Sequence, residues 1–135
     1  MVSQSAVVDC SALVRGFVDD GPSGMAVRSR LSQVQILAAP SLLDYEMLSA
    51  LFGMRRGGKI TLPEVASLIT RYRVLGVRRH ETLPLWERVQ ELNHNITAHD
   101  AQYVALAEAL DLPLITCDAR IKRSGAAKCA IEVFD

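Results

Sequence analysis

The 135-residue sequence predicts an α/β sandwich with a mainly parallel central sheet, and three observations carry that expectation. Apolar strand-like runs alternate with helical stretches. No internal repeat breaks the alternation, and helical connections are what parallel strands require. Two of the runs end on an aspartate, at Asp9 and Asp118, where the ligand-binding edge of such a sheet lies. The length fits one domain spanning residues 1–135, enough chain to remove roughly two-thirds of its surface from water.

Taken in order, "AVV" before Asp9 reads as the first strand, "SALVRGFVDD" as a short helix and "DDGPSG" as a breaker-rich turn followed by a second helix. "VQILA" (34–38) predicts a strand. "PSLLDYEMLSALFGMRRGG" predicts a helix with Ser41 as N-cap, Asp44 completing a capping box, and Gly57 and Gly58 at its end. Pro63 and Pro84 each stand where a helix can begin. "TAHDAQYVALAEAL" is a helix capped by Thr97, "LPLITCD" (112–118) a strand, and "AIEVF" (130–134) a last strand.

Composition excludes several classes. Apolar runs are only a few residues long, far short of the roughly 20 that a membrane span needs. The start "MVSQSAVVDC" lacks the basic and apolar pattern of a signal peptide, so a soluble, cytoplasmic protein without a membrane partner is expected. Three cysteines, Cys10, Cys117 and Cys129, show no CxxC spacing and predict free thiols rather than a disulfide framework or zinc site. Side chains alternate along a strand, so Cys10 and Cys117 should point into packing if Asp9 and Asp118 face a site.

Two further acids stand in odd places. At about 100° per residue, Glu46 shares a helix face with Leu42, Leu43, Ser49 and Ala50, a surface that ought to meet the sheet. Asp100 lies on the stripe of Val104 and Ala107, although Thr97 and Asp100 also match a capping box. Asp118 could equally cap a helix starting at Ala119. If Asp9, Glu46, Asp100 and Asp118 converge, each pair at about 5 Å repels by roughly 3 kcal/mol at an effective dielectric of 20, so a cation is needed between them. An oxygen-only donor set favours magnesium, or manganese, over zinc. Without metal, such crowding should raise the folded-state pKa values of the acids. His99 points about 100° away from Asp100 and is expected to be exposed.

The blocks "VVDCSALV", "APSLLDYEMLSAL" and "ITAHDAQYVALAEALDLPLITCDARI" resemble the successive motifs of PIN-domain ribonucleases, specifically VapC-type toxins of bacterial toxin-antitoxin pairs. The resemblance spans nearly the whole chain in the right order. It implies a PIN-like α/β/α sandwich in which Asp9, Glu46, Asp100 and Asp118 form the catalytic and metal-binding set, with Ser11 and Thr116 as supporting hydroxyls. It also implies RNA as substrate, products with 5′-phosphate and 3′-hydroxyl ends, a VapB-like antitoxin partner and a homodimer. Hydrolysis by a water activated on a divalent cation needs no protein nucleophile.

Net charge is zero, yet from Gly53 to His80 the bases Arg55, Arg56, Lys59, Arg71, Arg73, Arg78 and Arg79 face the single acid Glu64. That segment, with Arg55 and Arg56 foremost, could hold a phosphate backbone. Two alternatives share these residues: a catalytically inactive PIN-like module that binds RNA or protein, and a stand-alone nuclease without antitoxin. A phosphate-receiver pattern fails at "VVDCS" and "AIEVF", a metal-dependent adhesion motif fails at Leu13, and a haloacid-dehalogenase motif fails at Ser11.

Overall fold

Among residues 4–135, which the computed structural model describes, five strands and seven helices alternate. The reading of "MVSQSAVVDC" as lacking a leader begins on residues 1–3, which lie outside the described residues. Strand β1 (Ser5–Val8) leads through α1 (Cys10–Val18) and α2 (Pro22–Ser32) to β2 (Ile36–Pro40). Helices α3 (Leu42–Arg56) and α4 (Leu62–Val74) lead to β3 (Arg78–His80). A 3-10 turn (Leu83–Leu85), α5 (Trp86–Leu92) and α6 (Ala98–Leu110) then lead to β4 (Leu114–Thr116), and α7 (Ala119–Arg123) leads to β5 (Ile131–Val133).

All pairings are parallel, in the order β3-β2-β1-β4-β5. This order decides where a site can form. The chain first moves outward from β1 to β2 and β3, then returns to the other side of β1 for β4 and β5. Right-handed crossovers therefore put α1 to α4 on one face and α5 to α7 on the other. The reversal makes the β1/β4 boundary a topological switch point, and Asp9 and Asp118 follow those two strands.

The core lies on both faces of the sheet. Ala6, Val7, Val8, Leu114 and Ile115 are fully buried in the central strands, as two-sided burial demands. Helix α6 packs on β1, β2 and β4 and buries Ala101, Tyr103, Val104, Ala105, Leu106 and Ala107. Its small residues let it approach the sheet closely. Leu13, Leu43, Met47 and Leu51 bury one side of α1 and α3, each burial worth about 1.5–3 kcal/mol. Two ion pairs tie distant segments together: Arg30 of α2 holds Glu132 of β5 through two bonds of 2.7 and 3.0 Å, and Arg88 of α5 holds Glu108 of α6 likewise.

Several expectations need correction. The second strand is Ile36–Pro40, two residues later than "VQILA". Strand β3 had no counterpart in the sequence reading; "RRH" carries no apolar alternation, because a short charged edge strand has no face to bury. Ser41 stands at the N-cap of α3 but its side chain caps nothing, and Asp44 forms no capping box. The Asp44 carboxylate instead accepts from the Tyr72 hydroxyl at 2.6 Å and from Arg79 Nε at 2.8 Å. The capping box that does form is Thr61 with Glu64 on α4, with Pro63 in its first turn. Asp19 ends α1 and accepts from the Gly21 and Gly24 N–H groups, so the turn before α2 is shorter than "DDGPSG".

Candidate acidic active site

The C-terminal ends of parallel strands share one edge, and a helix preceding such a strand starts at that edge. Asp9 follows β1, Asp118 follows β4 after two residues, Asp100 sits in the first turn of α6, and Glu46 lies near the start of α3. Topology thus carries each predicted acid to the same side of the sheet.

Asp9 is the anchor. It is only 5% exposed and caps α1 by accepting from the Ala12 N–H at 3.0 Å. The Ser11 hydroxyl donates to Asp9 Oδ1 at 2.7 Å and the Thr116 hydroxyl donates to Asp9 Oδ2. Each hydroxyl has one proton to give, so their lone pairs are free to accept. Ser11 accepts from the Cys117 N–H and Thr116 from the Asp118 N–H, both at 2.9 Å. The backbone leaving β4 is thereby tied through two hydroxyls to the carboxylate leaving β1. Ser11 and Thr116 are supporting residues, as expected.

Burial pushes the Asp9 pKa up to about 6, against the opposing bonds from Thr116, Ser11 and Ala12, and Asp100 adds repulsion. Burial also raises Asp100, and Asp118 adds repulsion, while Thr97 and Arg120 pull it back. Crowding was expected to be the main cause of such shifts, but desolvation is the larger one. Asp118 departs from the expectation altogether. The Arg120 guanidinium beside it holds its carboxylate below the usual range. Asp118 also caps α7 by accepting from the Arg120 N–H at 2.9 Å. Thr97 caps α6 through the Asp100 N–H at 3.1 Å.

Glu46 is held by a residue whose role the sequence did not disclose. The Tyr103 hydroxyl, on buried α6, donates to Glu46 Oε1 at 2.5 Å, the short distance of a charge-assisted bond. This partner explains how a carboxylate survives on the inner face of α3. His99 is exposed as expected, but its Nδ1 lies 3.9 Å from Glu46 Oε2 rather than turning away. Replacing Tyr103 by Phe should cost about 1–2 kcal/mol of stability, because the part-buried Glu46 carboxylate loses its hydrogen-bond donor. Urea denaturation of Tyr103→Phe against the parent checks this.

Among the described residues, no group of three or more His, Cys, Asp and Glu side chains is drawn together closely enough to hold a metal ion. The reason is visible in the partners. Asp9 points at Ser11 and Thr116, Glu46 at Tyr103, and Asp118 at Arg120. The donor chemistry nevertheless suits a hard cation: the set is all carboxylate oxygen, and burial penalises the charged forms of Asp9 and Asp100, a penalty that a divalent ion would offset.

Arg55 and Arg56 occupy the last turn of α3, and nine residues from Glu46 to Arg55 amount to about 14 Å along the axis. They stand away from the acidic edge. Arg79 is engaged by Asp44 and Arg71 lies over the Phe17 ring at 5.0 Å. The cation that does reach the acids is Arg120, which sequence reasoning missed. Its position two residues after Asp118, on the first turn of a capped helix, was the available signal.

The cysteines are free. Cys10 donates to the Met47 sulfur at 3.7 Å, and burial pushes its thiol up to about 12 and that of Cys117 up to about 11. Neither is a nucleophile at neutral pH. Among the described residues, no helix is long and apolar enough to cross a membrane.

The family model described as PIN domain matches residues 6–126. Ribonuclease VapC9 of Mycobacterium tuberculosis (strain H37Rv) is 35% identical over 127 residues, covering 94% of this chain and 96% of the relative. The chain belongs to the PIN-domain family, among its VapC ribonucleases. Ribonuclease VapC1 of the same organism is 35% identical over 128 residues, again with 94% and 96% covered. The fold agrees. The crystal structure of PAE2754 from Pyrobaculum aerophilum superposes with a TM-score of 0.73 at 25% identity, covering 96% of this chain and 89% of that one. That of VapBC2 from Rickettsia felis, bound to a DNA fragment from its promoter, gives 0.70 at 14% identity, with 97% and 99% covered. The PIN-like sandwich expected from the motifs is the observed fold.

Proposed function

We propose that this PIN-domain protein is the toxin ribonuclease of a toxin-antitoxin pair and cuts RNA phosphodiester bonds with magnesium, or manganese, at the acidic edge. The observation carrying the reading is Asp9: a buried carboxylate at a topological switch point, fixed by three hydrogen bonds, with Asp100 within electrostatic reach. A buried acid fixed so firmly and left costly to ionise makes sense as a cation ligand.

Asp9, Glu46 and Asp100 would hold the ion, with Asp118 joining or orienting water. When bound, the cation lowers the pKa of a water and neutralises charge developing on the phosphate. The protein's own part is positional. Ser11 and Thr116 fix the Asp9 carboxylate, Tyr103 fixes that of Glu46, and Thr97 fixes the start of α6 from which Asp100 projects.

The inactive-module alternative accounts for the bonds around Asp9 and Glu46 as capping and tying alone, but it leaves a buried acid that is costly to ionise at the switch point without a purpose. For partners, we infer a VapB-like antitoxin that brings a basic side chain to the acids, and a homodimer of this chain. An arginine is suited to that task, since its fork matches a carboxylate. Cytoplasmic placement follows from the same reading, because RNA is the substrate. The test is cleavage of single-stranded RNA with magnesium or manganese against excess chelator. Cleavage that requires the ion and leaves 5′-phosphate ends is expected; metal-independent cleavage, or none in any ion, would overturn the reading. Co-expression with the protein encoded beside this gene, followed by size-exclusion chromatography, separates the antitoxin-paired from the stand-alone enzyme.

A further inference from the structure

The Arg120 guanidinium folds back onto the carboxylate two residues before it, with Nε 3.0 Å from Asp118 Oδ1 and Nη2 2.7 Å from Asp118 Oδ2. The two partners differ in exposure. The Arg120 side chain is 75% exposed and that of Asp118 20%. Arg120 also lines a surface cavity of about 390 Å³ together with Asp100 and the 93–97 turn. One exposed cation thus lines a cavity together with the acid of α6, while occupying the acid that follows β4.

An exposed bidentate pair is held by geometry rather than by burial, and a phosphate offers the guanidinium the same fork of oxygens with at least as much charge. We propose that Arg120 is a substrate-operated latch: in the RNA-free protein it holds Asp118, and on binding it transfers to a phosphate of the RNA next to the scissile one, leaving Asp118 free to face the acidic site. Arg120 is then a positioning residue for Asp118 and an RNA contact in turn. The arrangement couples two events that would otherwise be independent. Substrate arrival completes the acidic set, so the set is incomplete when no RNA is present. The 93–97 turn supplies the other wall, where Asn95 and His94 are exposed to meet the adjoining nucleotide.

This inference rests on the ribonuclease reading, and the two can fail separately. The test uses the full chain and two binding measurements that need no catalysis: Mn2+ alone by calorimetry, and a single-stranded RNA oligonucleotide in chelator by fluorescence anisotropy. Arg120→Gln should bind RNA about tenfold more weakly, since one charged contact is worth about that factor. The same variant should bind Mn2+ more tightly by a few-fold, because Asp118 is no longer engaged. Arg120→Lys keeps the charge without the fork and should recover part of the RNA affinity. Opposite shifts for Arg120→Gln, with Mn2+ binding also tighter in Arg120→Lys because the fork that holds Asp118 is gone, support the latch; Arg120→Lys with the parent's Mn2+ affinity marks a charge effect alone and overturns it. Unchanged or tighter RNA binding, or unchanged or weaker Mn2+ binding, by Arg120→Gln overturns it. If the parent cuts no RNA but both shifts occur, Arg120 still exchanges Asp118 for an RNA phosphate, and it is the ribonuclease reading that falls. If the parent cuts RNA and the shifts are absent, the reverse holds.

Discussion

Asp9→Asn should lose RNA cleavage by at least about 100-fold while keeping the native fold, the largest loss expected from any single conservative change at the edge. The substitution is nearly isosteric, and the hydrogen bonds can be remade. The amide oxygen can still accept from Ser11 and the Ala12 N–H. The new NH2 meets the Thr116 hydroxyl, which then accepts instead of donating and turns its proton toward Ser11 Oγ, 3.3 Å away. What is lost is the negative charge, on the acid most firmly fixed to both central strands. Asp118→Asn should cost less, since the Asp118 side chain is 20% exposed, is not fixed by bonds to both central strands as Asp9 is, and is assigned to joining the set or orienting water. Initial rates on one RNA substrate at saturating magnesium, with circular dichroism as the control, make the comparison. Retention of more than about a tenth of the parental rate by Asp9→Asn would remove that carboxylate from the chemistry.

The acids were legible in the sequence because their oddity is local. A charged residue at the end of an apolar run, or on the inner stripe of a helix, violates burial rules that depend only on spacing. Asp9 and Glu46 stood out for that reason. Continuous apolar runs likewise gave the central strands, since β1 and β4 are buried on both faces. The partners were not legible. Tyr103 reaches Glu46 across 57 positions of sequence, and Asp44 meets Tyr72 and Arg79 across 28 and 35. Which side chains meet at such separations depends on how helices cross, and no local pattern records it. Asp44 shows the failure clearly: its spacing from Ser41 fits a capping box, but Arg79 on the neighbouring edge strand is a stronger partner than a backbone N–H.

The basic residues show a different limit. Counting charges between Gly53 and His80 located a real excess, but a count along the chain says nothing about which end of a helix a charge occupies. Helix α3 begins at the acidic edge and runs away from it, so Glu46 and Arg55 lie on one element and at opposite ends. Arg120 is a single residue in an unremarkable stretch, yet α7 starts at that edge and leaves it no other place to be.

In chelator, the stability of the parent should fall by about 3 kcal/mol as pH rises from about 4 to about 6, and then level off. The folded Asp9 carboxyl has its pKa pushed up to about 6 from 3.8, so across that interval the folded state holds a proton that the unfolded state has released. Stability is therefore fully present below the unfolded value and lost through the folded one, at about 1.4 kcal/mol per pH unit. Asp100, also raised, acts in the same direction. Asp44, Glu108 and Asp118 are lowered, and their contribution is present above the unfolded value and lost as pH falls below about 4. The two windows meet between pH about 4 and 5, where the lowered acids are still gaining and Asp9 is starting to lose, and the metal-free protein should be most stable there. In Asp9→Asn the fall between pH about 4 and 6 should shrink to what Asp100 alone supplies. As the proposed ligand of these acids, magnesium should restore the parent at pH 7 by binding the folded state, with little effect on the variant. Urea midpoints at pH 4.5 and 7, in chelator and in magnesium, measure all of this. A parent whose metal-free stability rises through that interval, or a variant with the parent's slope and magnesium response, would mean that Asp9 is ionised in the folded state without cost and has no need of a cation.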